Sequence, residues 1–332
     1  MTVAPERPVR VPSVSVDLYG LRLDVRVGDE AVRGAIAARL AEFPSARASA
    51  ADLTFAVEAA PAAAPHTVGP PAAAARTVYE SQAGRVRYDE ERDVLSIVHR
   101  EGVRLACAVG AGQVDVSVRG DRPPSPWLLS RPLLSLPLLE LLKRRGRFGL
   151  HAAGVERNGA AVLAAGPAGA GKSTLALTLA RAGFGLLGDD LVFLTDHDGR
   201  LRVLPFADEI ELGEEALVLF PELAPSAGPP PPGWPKQRLA PRALGLPLGR
   251  PAEPAVLLLP VRIAGTRSRV RPISRNDALL ELLPNVILTD RRSCEAHVDA
   301  LAELVRVADC YRLESGRDLA ALAALVADVA GR

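Results

Sequence analysis

Lysine and net charge are both scarce in this sequence of 332 residues. The 40 basic and 39 acidic residues leave a formal net charge of +1. So small an excess creates no long-range field that would attract nucleic acid or an anionic membrane, and we expect neither partner. Only three of the basic residues are lysines, Lys143, Lys172 and Lys236. Arginine is therefore the default cation of the chain, and the lysine at position 172 indicates a specific chemical requirement.

Cysteines and long apolar runs are also few. Cys107, Cys294 and Cys310 show no metal-binding spacing, and their odd number excludes a complete disulfide framework. We therefore expect reduced cysteines in a cytoplasmic protein. The N-terminus has no apolar signal core. The leucine-rich run 125–142 contains three prolines and two charged residues, which favours a buried helix over a membrane span.

The length and a hydrophobic content of 48% are sufficient for two domains with separate cores. Residues 1–124 predict a smaller α+β domain dominated by an antiparallel sheet, whose expected role is recognition of a substrate or partner. A hairpin turns at Gly20, and Asp29 caps a helix that runs to Leu40. Alternating apolar residues predict strands at 53–58, 76–79, 85–88, 94–99, 103–109 and 114–118. The alanine- and proline-rich segment 59–75 predicts a flexible loop.

Residues 125–332 predict an α/β domain. An apolar run at 160–165 predicts a strand, and residues 174–182 predict a helix. The residues His197 to Gly199 predict a hairpin turn. Later segments predict strands at 255–263, 268–273 and 311–313, and helices at 276–283, 294–308 and 318–330. Proline-rich stretches at 122–126 and 228–233 indicate a domain boundary and a semi-rigid spacer.

A glycine-rich segment between the first strand and helix of this domain matches the P-loop pattern G-x-x-x-x-G-K-[ST]. The predicted nucleotide-binding residues are Gly166, Pro167, Ala168, Gly169, Ala170, Gly171, Lys172, Ser173 and Thr174. The glycines allow successive amides to point at phosphate oxygens, and the helix N-terminus adds its positive end. The compact ammonium of Lys172 would neutralise the terminal phosphates, and the Ser173 hydroxyl would be a Mg²⁺ ligand. The segment therefore predicts binding of a nucleoside triphosphate.

Two adjacent carboxylates, Asp189 and Asp190, follow the next apolar run. One carboxylate of such a pair can hold a metal while the other accepts a proton from an incoming hydroxyl. His151 precedes the strand pair that leads into the P-loop, and a histidine at this position would lie at the same edge of the sheet.

The spacing of these residues resembles that of the HPr kinase/phosphorylase family. That family has a histidine fifteen residues before the first P-loop glycine and two aspartates seventeen and eighteen residues after the lysine. The separations here are 166 − 151 = 15, 189 − 172 = 17 and 190 − 172 = 18. The resemblance covers about residues 145–332 and implies a P-loop fold like that of HPr kinases and carboxykinases for the second domain. The family's Leu-Glu-Ile-Arg-Gly signature, which accompanies the reverse reaction, is absent.

The resemblance implies transfer of the γ-phosphoryl group of ATP, with Mg²⁺, to a serine hydroxyl of a protein or peptide. Asp189 would be the base, Asp190 and Ser173 would bind Mg²⁺, Lys172 would bind phosphate, and His151 would line the site. A further metal carboxylate is expected on the following strand, where Glu209 and Glu211 are the candidates. A ribosomally made precursor peptide is a reasonable acceptor, and a homo-oligomer is compatible with the sequence.

Two other functions are left open by the residues. One is a small-molecule kinase or a carboxykinase-like phosphotransferase, and the other is a nucleotide-dependent binding protein without catalysis. The segment 228–242 carries Trp234, Lys236, Arg238 and Arg242 behind its prolines. These residues could clamp an acidic partner or reach the nucleotide, or they could form an exposed loop.

Overall fold

Turn and cap residues define the first elements of the chain. This computed structural model describes residues 11–81, 84–122, 125–206, 208–226, 230, 234 and 236–331. The first two strands form an antiparallel hairpin. Tyr19 and Gly20, both with positive φ, make its turn. Asp29 caps the following helix by accepting a hydrogen bond from the Val32 amide at 2.9 Å. The predicted hairpin and its following capped helix are confirmed.

The chain divides into two compact units, Met1–Leu141 and Leu142–Arg332. The strands of the first unit are β1 (Ser13–Leu18), β2 (Leu21–Val27), β3 (Leu53–Ala60), β4 (Arg76–Ser81), β5 (Gly84–Asp89), β6 (Val94–His99), β7 (Val103–Ala108) and β8 (Gln113–Arg119). The first helices are α1 (Glu30–Arg39), α2 (Pro126–Ser130) and α3 (Pro132–Lys143). The sequence placed the boundary at 124/125, whereas the units meet within α3. Pro123 and Pro124 of the predicted boundary lie outside the described residues.

All strands of the first unit belong to one sheet with the order β1-β2-β3-β8-β7-β6-β5-β4. Five of its pairings are antiparallel, as the sequence predicts, but β3 lies parallel to both β2 and β8. β3 runs parallel to β2 because α1 carries the chain back between these two strands. Of the predicted loop 59–75, residues 61–75 form neither helix nor strand, whereas Ala59 and Ala60 belong to β3.

The second unit contains more strands than the sequence predicts. They are β9 (Phe148–Leu150), β10 (Ala152–Arg157), β11 (Ala160–Ala165), β12 (Gly185–Gly188), β13 (Val192–His197), β14 (Arg200–Pro205), β15 (Ile210–Leu212), β16 (Gln237–Leu239), β17 (Glu253–Arg262), β18 (Arg269–Pro272) and β19 (Asp309–Ser315). Its helices are α4 (Lys172–Arg181), α5 (Glu214–Leu217), α6 (Arg275–Leu282), α7 (Arg291–Val307) and α8 (Leu319–Ala330). Short 3₁₀ turns lie at Pro221–Ser226, Arg242–Leu244 and Leu283–Asn285.

A mixed six-stranded sheet, β12-β10-β11-β17-β19-β18, forms the centre of the second unit. β17 is parallel to both β11 and β19, and the remaining pairs are antiparallel. One face packs against α4 and α8, and the other packs against α6, α7 and a second sheet of order β14-β13-β9. A two-stranded ribbon, β15-β16, completes the unit. The result is a mixed α/β architecture.

No helix among the described residues is long and apolar enough to cross a bilayer. The leucine-rich run predicted as a buried helix forms α2 and α3, with Pro126 and Pro132 at their first positions. The proline tract 228–233 lies outside the described residues except for Pro230.

Candidate functional site

The segment with the P-loop pattern connects β11 to α4 and begins at the carboxyl end of a buried strand. Gly169 and Gly171 have φ values of 80° and 98°, which side-chain-bearing residues rarely adopt. Within the described part of the chain, the amides of Gly169, Gly171, Lys172 and Ser173 donate no backbone hydrogen bond. These amides surround the N-terminus of α4 and form a site that can accept an anion.

Lys172 lies inside this loop and is only 7% exposed. Its Nζ donates to the carbonyl oxygens of Gly166 at 2.7 Å and Pro167 at 3.3 Å. Burial lowers the pKa of Lys172, and the nearby Lys236 acts in the same direction, while Asp190 and Asp189 oppose the change. The ammonium therefore shares one electrostatic environment with both aspartates.

Asp189 is buried at the end of β12 and is 3% exposed. Its Oδ2 accepts a hydrogen bond from the Glu211 amide at 2.9 Å. Its Oδ1 is buried and accepts no hydrogen bond from the described residues. Burial raises the pKa of Asp189 to about 7, and the charge of Asp190 adds to the rise. The Glu211 amide, the nearby Ser173 hydroxyl and the Lys236 ammonium favour the ionised form.

Asp190 differs from its neighbour because its side chain is 70% exposed. His151 Nδ1 lies 3.0 Å from Asp190 Oδ1 and 3.0 Å from the Asp190 carbonyl oxygen. The antiparallel pairing of Leu150 in β9 with Val192 in β13 brings the two residues together. Partial desolvation by the surrounding protein raises the pKa of Asp190. The hydrogen bond and charge of His151 outweigh this effect and lower the pKa overall, with help from Lys236 and Lys172.

The Asp189 carboxylate and the Ser173 hydroxyl are oxygen ligands of the kind that a hard cation prefers. The orphaned Oδ1 of Asp189 needs a partner, and the Ser173 hydroxyl is close enough to influence this carboxylate without forming a regular hydrogen bond to Oδ1. Among the described residues, no three His, Cys, Asp or Glu side chains form a preformed metal cage. Mg²⁺ is usually held by one or two protein ligands and by substrate phosphates, so the residues fit this ion.

The two glutamates considered as metal ligands occupy different positions. Glu209 forms an ion pair with Arg238 at 3.1 Å. Glu211 lies on β15, where its amide binds Asp189 and its Oε2 accepts a hydrogen bond from Trp234 Nε1 at 2.9 Å. The structure therefore brings Glu211, rather than Glu209, against Asp189.

The structure does not bring together the four residues of the 228–242 segment that could form a clamp. Lys236 lies at the site, 3.8 Å from Glu211 Oε2, and Trp234 contacts the same oxygen. Arg238 pairs with Glu209 instead, and Arg242 is exposed in a 3₁₀ turn.

Sequence reasoning missed Arg262, the last residue of β17. A Cβ added to Gly171 would lie 3.8 Å from Arg262 Cγ, and the Arg262 guanidinium pairs with Glu215 at 2.8 Å. The signal was present, because β17 is a long apolar run and ligands of open α/β sheets bind beyond the carboxyl ends of such strands.

Comparison with known proteins gives little beyond this geometry. No family model matches the chain, and no curated protein matches its sequence. Among solved structures, the HPr(Ser) kinase/phosphatase from Coxiella burnetii is similar at 19% sequence identity and a TM-score of 0.25. The match covers 48% of this chain and 88% of that one.

Proposed function

We propose that the chain is a kinase that uses ATP and Mg²⁺ and transfers the γ-phosphoryl group to a serine hydroxyl of a protein or peptide. The observation that carries the proposal is a pair of adjacent carboxylates, one buried and one exposed and in contact with a histidine, beside the lysine of the P-loop pattern. Both aspartates act to raise the pKa of Lys172. A loop that only binds nucleotide has no need for a second, solvent-accessible carboxylate paired with a histidine.

The loop amides and Lys172 would hold the phosphates. Lys172 already donates to two loop carbonyls, so binding of a phosphate exchanges these neutral partners for an anion. Bound Mg²⁺ would neutralise charge on the β- and γ-phosphates. Ser173 and the orphaned oxygen of Asp189 are the protein oxygens suited to hold that ion.

The exposed Asp190 supports a proton-accepting role better than the buried Asp189 does. An incoming serine hydroxyl can reach a carboxylate that is 70% exposed, and His151 fixes that carboxylate in position. Asp190 would take the hydroxyl proton as the serine oxygen bonds to the γ-phosphorus and the bond to the β-phosphate oxygen breaks, releasing ADP. This division of labour reverses the one implied by the family resemblance.

The direct test incubates the protein with ATP, Mg²⁺ and peptides encoded beside its gene, followed by mass spectrometry. A mass increase of one phosphoryl group on a serine is expected, and Asp190→Asn should abolish it. Asp198→Asn, at an exposed hairpin turn, is the control and should retain activity. Transfer only to free metabolites would favour a small-molecule kinase, and nucleotide-dependent complex formation without transfer would favour a binding protein.

A further inference from the structure

Two of the three lysines, Lys172 and Lys236, lie in the site, although they are 64 residues apart in sequence. The position of Lys236 depends on the ribbon β15-β16. Glu211 in β15 is paired with Arg238 in β16, and Lys236 immediately precedes β16. Because the Glu211 amide also binds Asp189, the ribbon attaches Lys236 to the wall that holds the carboxylates.

The present partner of Lys236 holds it weakly. Its Nζ is 3.8 Å from Glu211 Oε2, which is beyond hydrogen-bond distance, and its side chain is 39% exposed. The same oxygen of Glu211 already accepts a hydrogen bond from Trp234. Glu211 therefore keeps a partner when the ammonium moves away, and an ion pair of this length and exposure contributes little stability.

The charge of Lys236 nevertheless reaches the reacting groups. It acts to lower the pKa of Lys172, Asp189 and Asp190, which disfavours a second positive charge and favours the ionised carboxylates. Two cations held near each other beside a nest of amides match a ligand with several negative charges. Arginine occupies most basic positions of this chain, so a lysine here also indicates a compact point charge.

We propose that Lys236 is a second phosphate-binding cation, which leaves Glu211 and contacts the terminal phosphate of the bound triphosphate. This role rests on the proposed kinase function and extends it. Lys172 holds the phosphates from inside the loop, and Lys236 approaches from the ribbon on the carboxylate side. The site would thereby distinguish a nucleoside triphosphate from a diphosphate.

The test compares the binding of ATP and ADP, each with Mg²⁺, to the full chain by calorimetry. Lys236→Gln should weaken ATP binding by about tenfold or more and ADP binding by less than about threefold, because one charge-assisted contact to the terminal phosphate is lost. Arg267→Gln removes one exposed positive charge from the same unit and should change neither affinity. Equal weakening of ATP and ADP, or none, would overturn the role of Lys236.

Tryptophan fluorescence provides a second measurement without changing the lysine. The chain has two tryptophans, so Trp127→Phe leaves Trp234 as the reporter beside Glu211. Departure of Lys236 from Glu211 should change this emission with ATP and much less with ADP, and adding Lys236→Gln should remove the difference. Identical responses to both nucleotides would count against the proposal.

The two proposals fail in different ways. If the unaltered protein binds neither nucleotide, both are overturned. If it binds ATP and transfers phosphate while Lys236→Gln behaves identically, the kinase function stands and only the role of Lys236 is rejected.

Discussion

Asp189 is a single residue whose burial lowers the stability of the fold in a way that a bound ligand would reverse. One carboxylate oxygen is held by the Glu211 amide, while the other is buried without a partner among the described residues. A buried polar atom without a hydrogen bond costs about 1–3 kcal/mol. Such a group is explained if a ligand supplies the missing contact.

Replacing this carboxylate should therefore stabilise the empty protein. In Asp189→Asn the amide oxygen can still accept from Glu211, and the buried carboxylate charge, whose cost to the folded state raises the pKa to about 7, is removed. At a pH above about 7 we expect the free energy of unfolding to rise by about 1 kcal/mol in urea titrations without nucleotide, together with loss of Mg²⁺-dependent phosphoryl transfer. Asp198→Asn should change neither quantity, and a clear loss of stability in Asp189→Asn would show that the buried carboxylate is structural.

The exposed neighbour should behave differently. Asp190→Asn should lower kcat for phosphoryl transfer by about 100-fold or more, because proton acceptance in the transition state contributes about 10²–10⁴ in rate. Its KM for ATP should change by less than about threefold, since the phosphates are held elsewhere. Steady-state kinetics with a fixed acceptor peptide would measure both values. A large rise in KM with unchanged kcat would instead indicate a role in nucleotide binding.

At the scale of elements, the turn between β12 and β13 positions both aspartates. A Cβ on Gly188 would collide with the Leu191 carbonyl oxygen and lie 3.1 Å from the Phe206 carbonyl oxygen. Gly188→Ala must shift this backbone, and we expect it to cost about 1–3 kcal/mol of stability and most of the activity. Gly213→Ala is the matched control, because a Cβ there meets nothing within 4 Å. Thermal unfolding and transfer assays on both variants would check this, and equal behaviour would contradict the role of the turn.

The sequence predicted elements whose signals are local and missed those that depend on distant pairing. The strand 160–165, the hairpin at His197–Gly199 and the helix capped by Asp318 are confirmed because apolar pattern, turn residues and cap residues lie within each segment. The three-residue strands β15 and β16 were missed because neither is long enough to show a period. Their pairing joins residues more than twenty positions apart.

The same distinction applies to the site. The P-loop, Asp189, Asp190 and His151 could be proposed from contiguous motifs and spacing. The contact of the Glu211 amide with Asp189 and the position of Lys236 could not, since both follow from the ribbon. The different burial of the two aspartates also depends on tertiary structure, and burial is the property that bears on their roles.

At the scale of the whole second unit, His297 should make folding sensitive to acid. The residue is 2% exposed, and its ring lies 5.3 Å from that of Phe148. Burial lowers the pKa of His297 to about 4. The charge of Lys143 adds to this effect, and the Gly149 backbone opposes it. The unfolded chain, with a histidine pKa near 6.5, binds the proton more tightly in this range. The contribution of His297 to stability is therefore complete above about pH 6.5 and falls as the pH drops to about 4, by about 3 kcal/mol.

Substitution of this histidine should remove that dependence. His297→Leu keeps an apolar group of similar size, and between pH 6.5 and 4 its unfolding free energy should fall by about 3 kcal/mol less than that of the unaltered protein, measured by urea titration at several pH values. His197→Leu, on an exposed strand end, should leave the slope unchanged. Retention of the full slope in His297→Leu would assign the acid sensitivity to other groups.

The burial of the lysines gives the folded chain an unusual pattern of amine reactivity. Lys143 and Lys172 are 4% and 7% exposed, whereas the side chain of Lys236 is 39% exposed. Apart from the α-amine, an acylating reagent should therefore modify essentially one side chain, and that side chain lies beside the paired carboxylates. Mild acetylation followed by peptide mapping would thus footprint the site with almost no background, so that protection by any bound molecule could be measured before its identity is known.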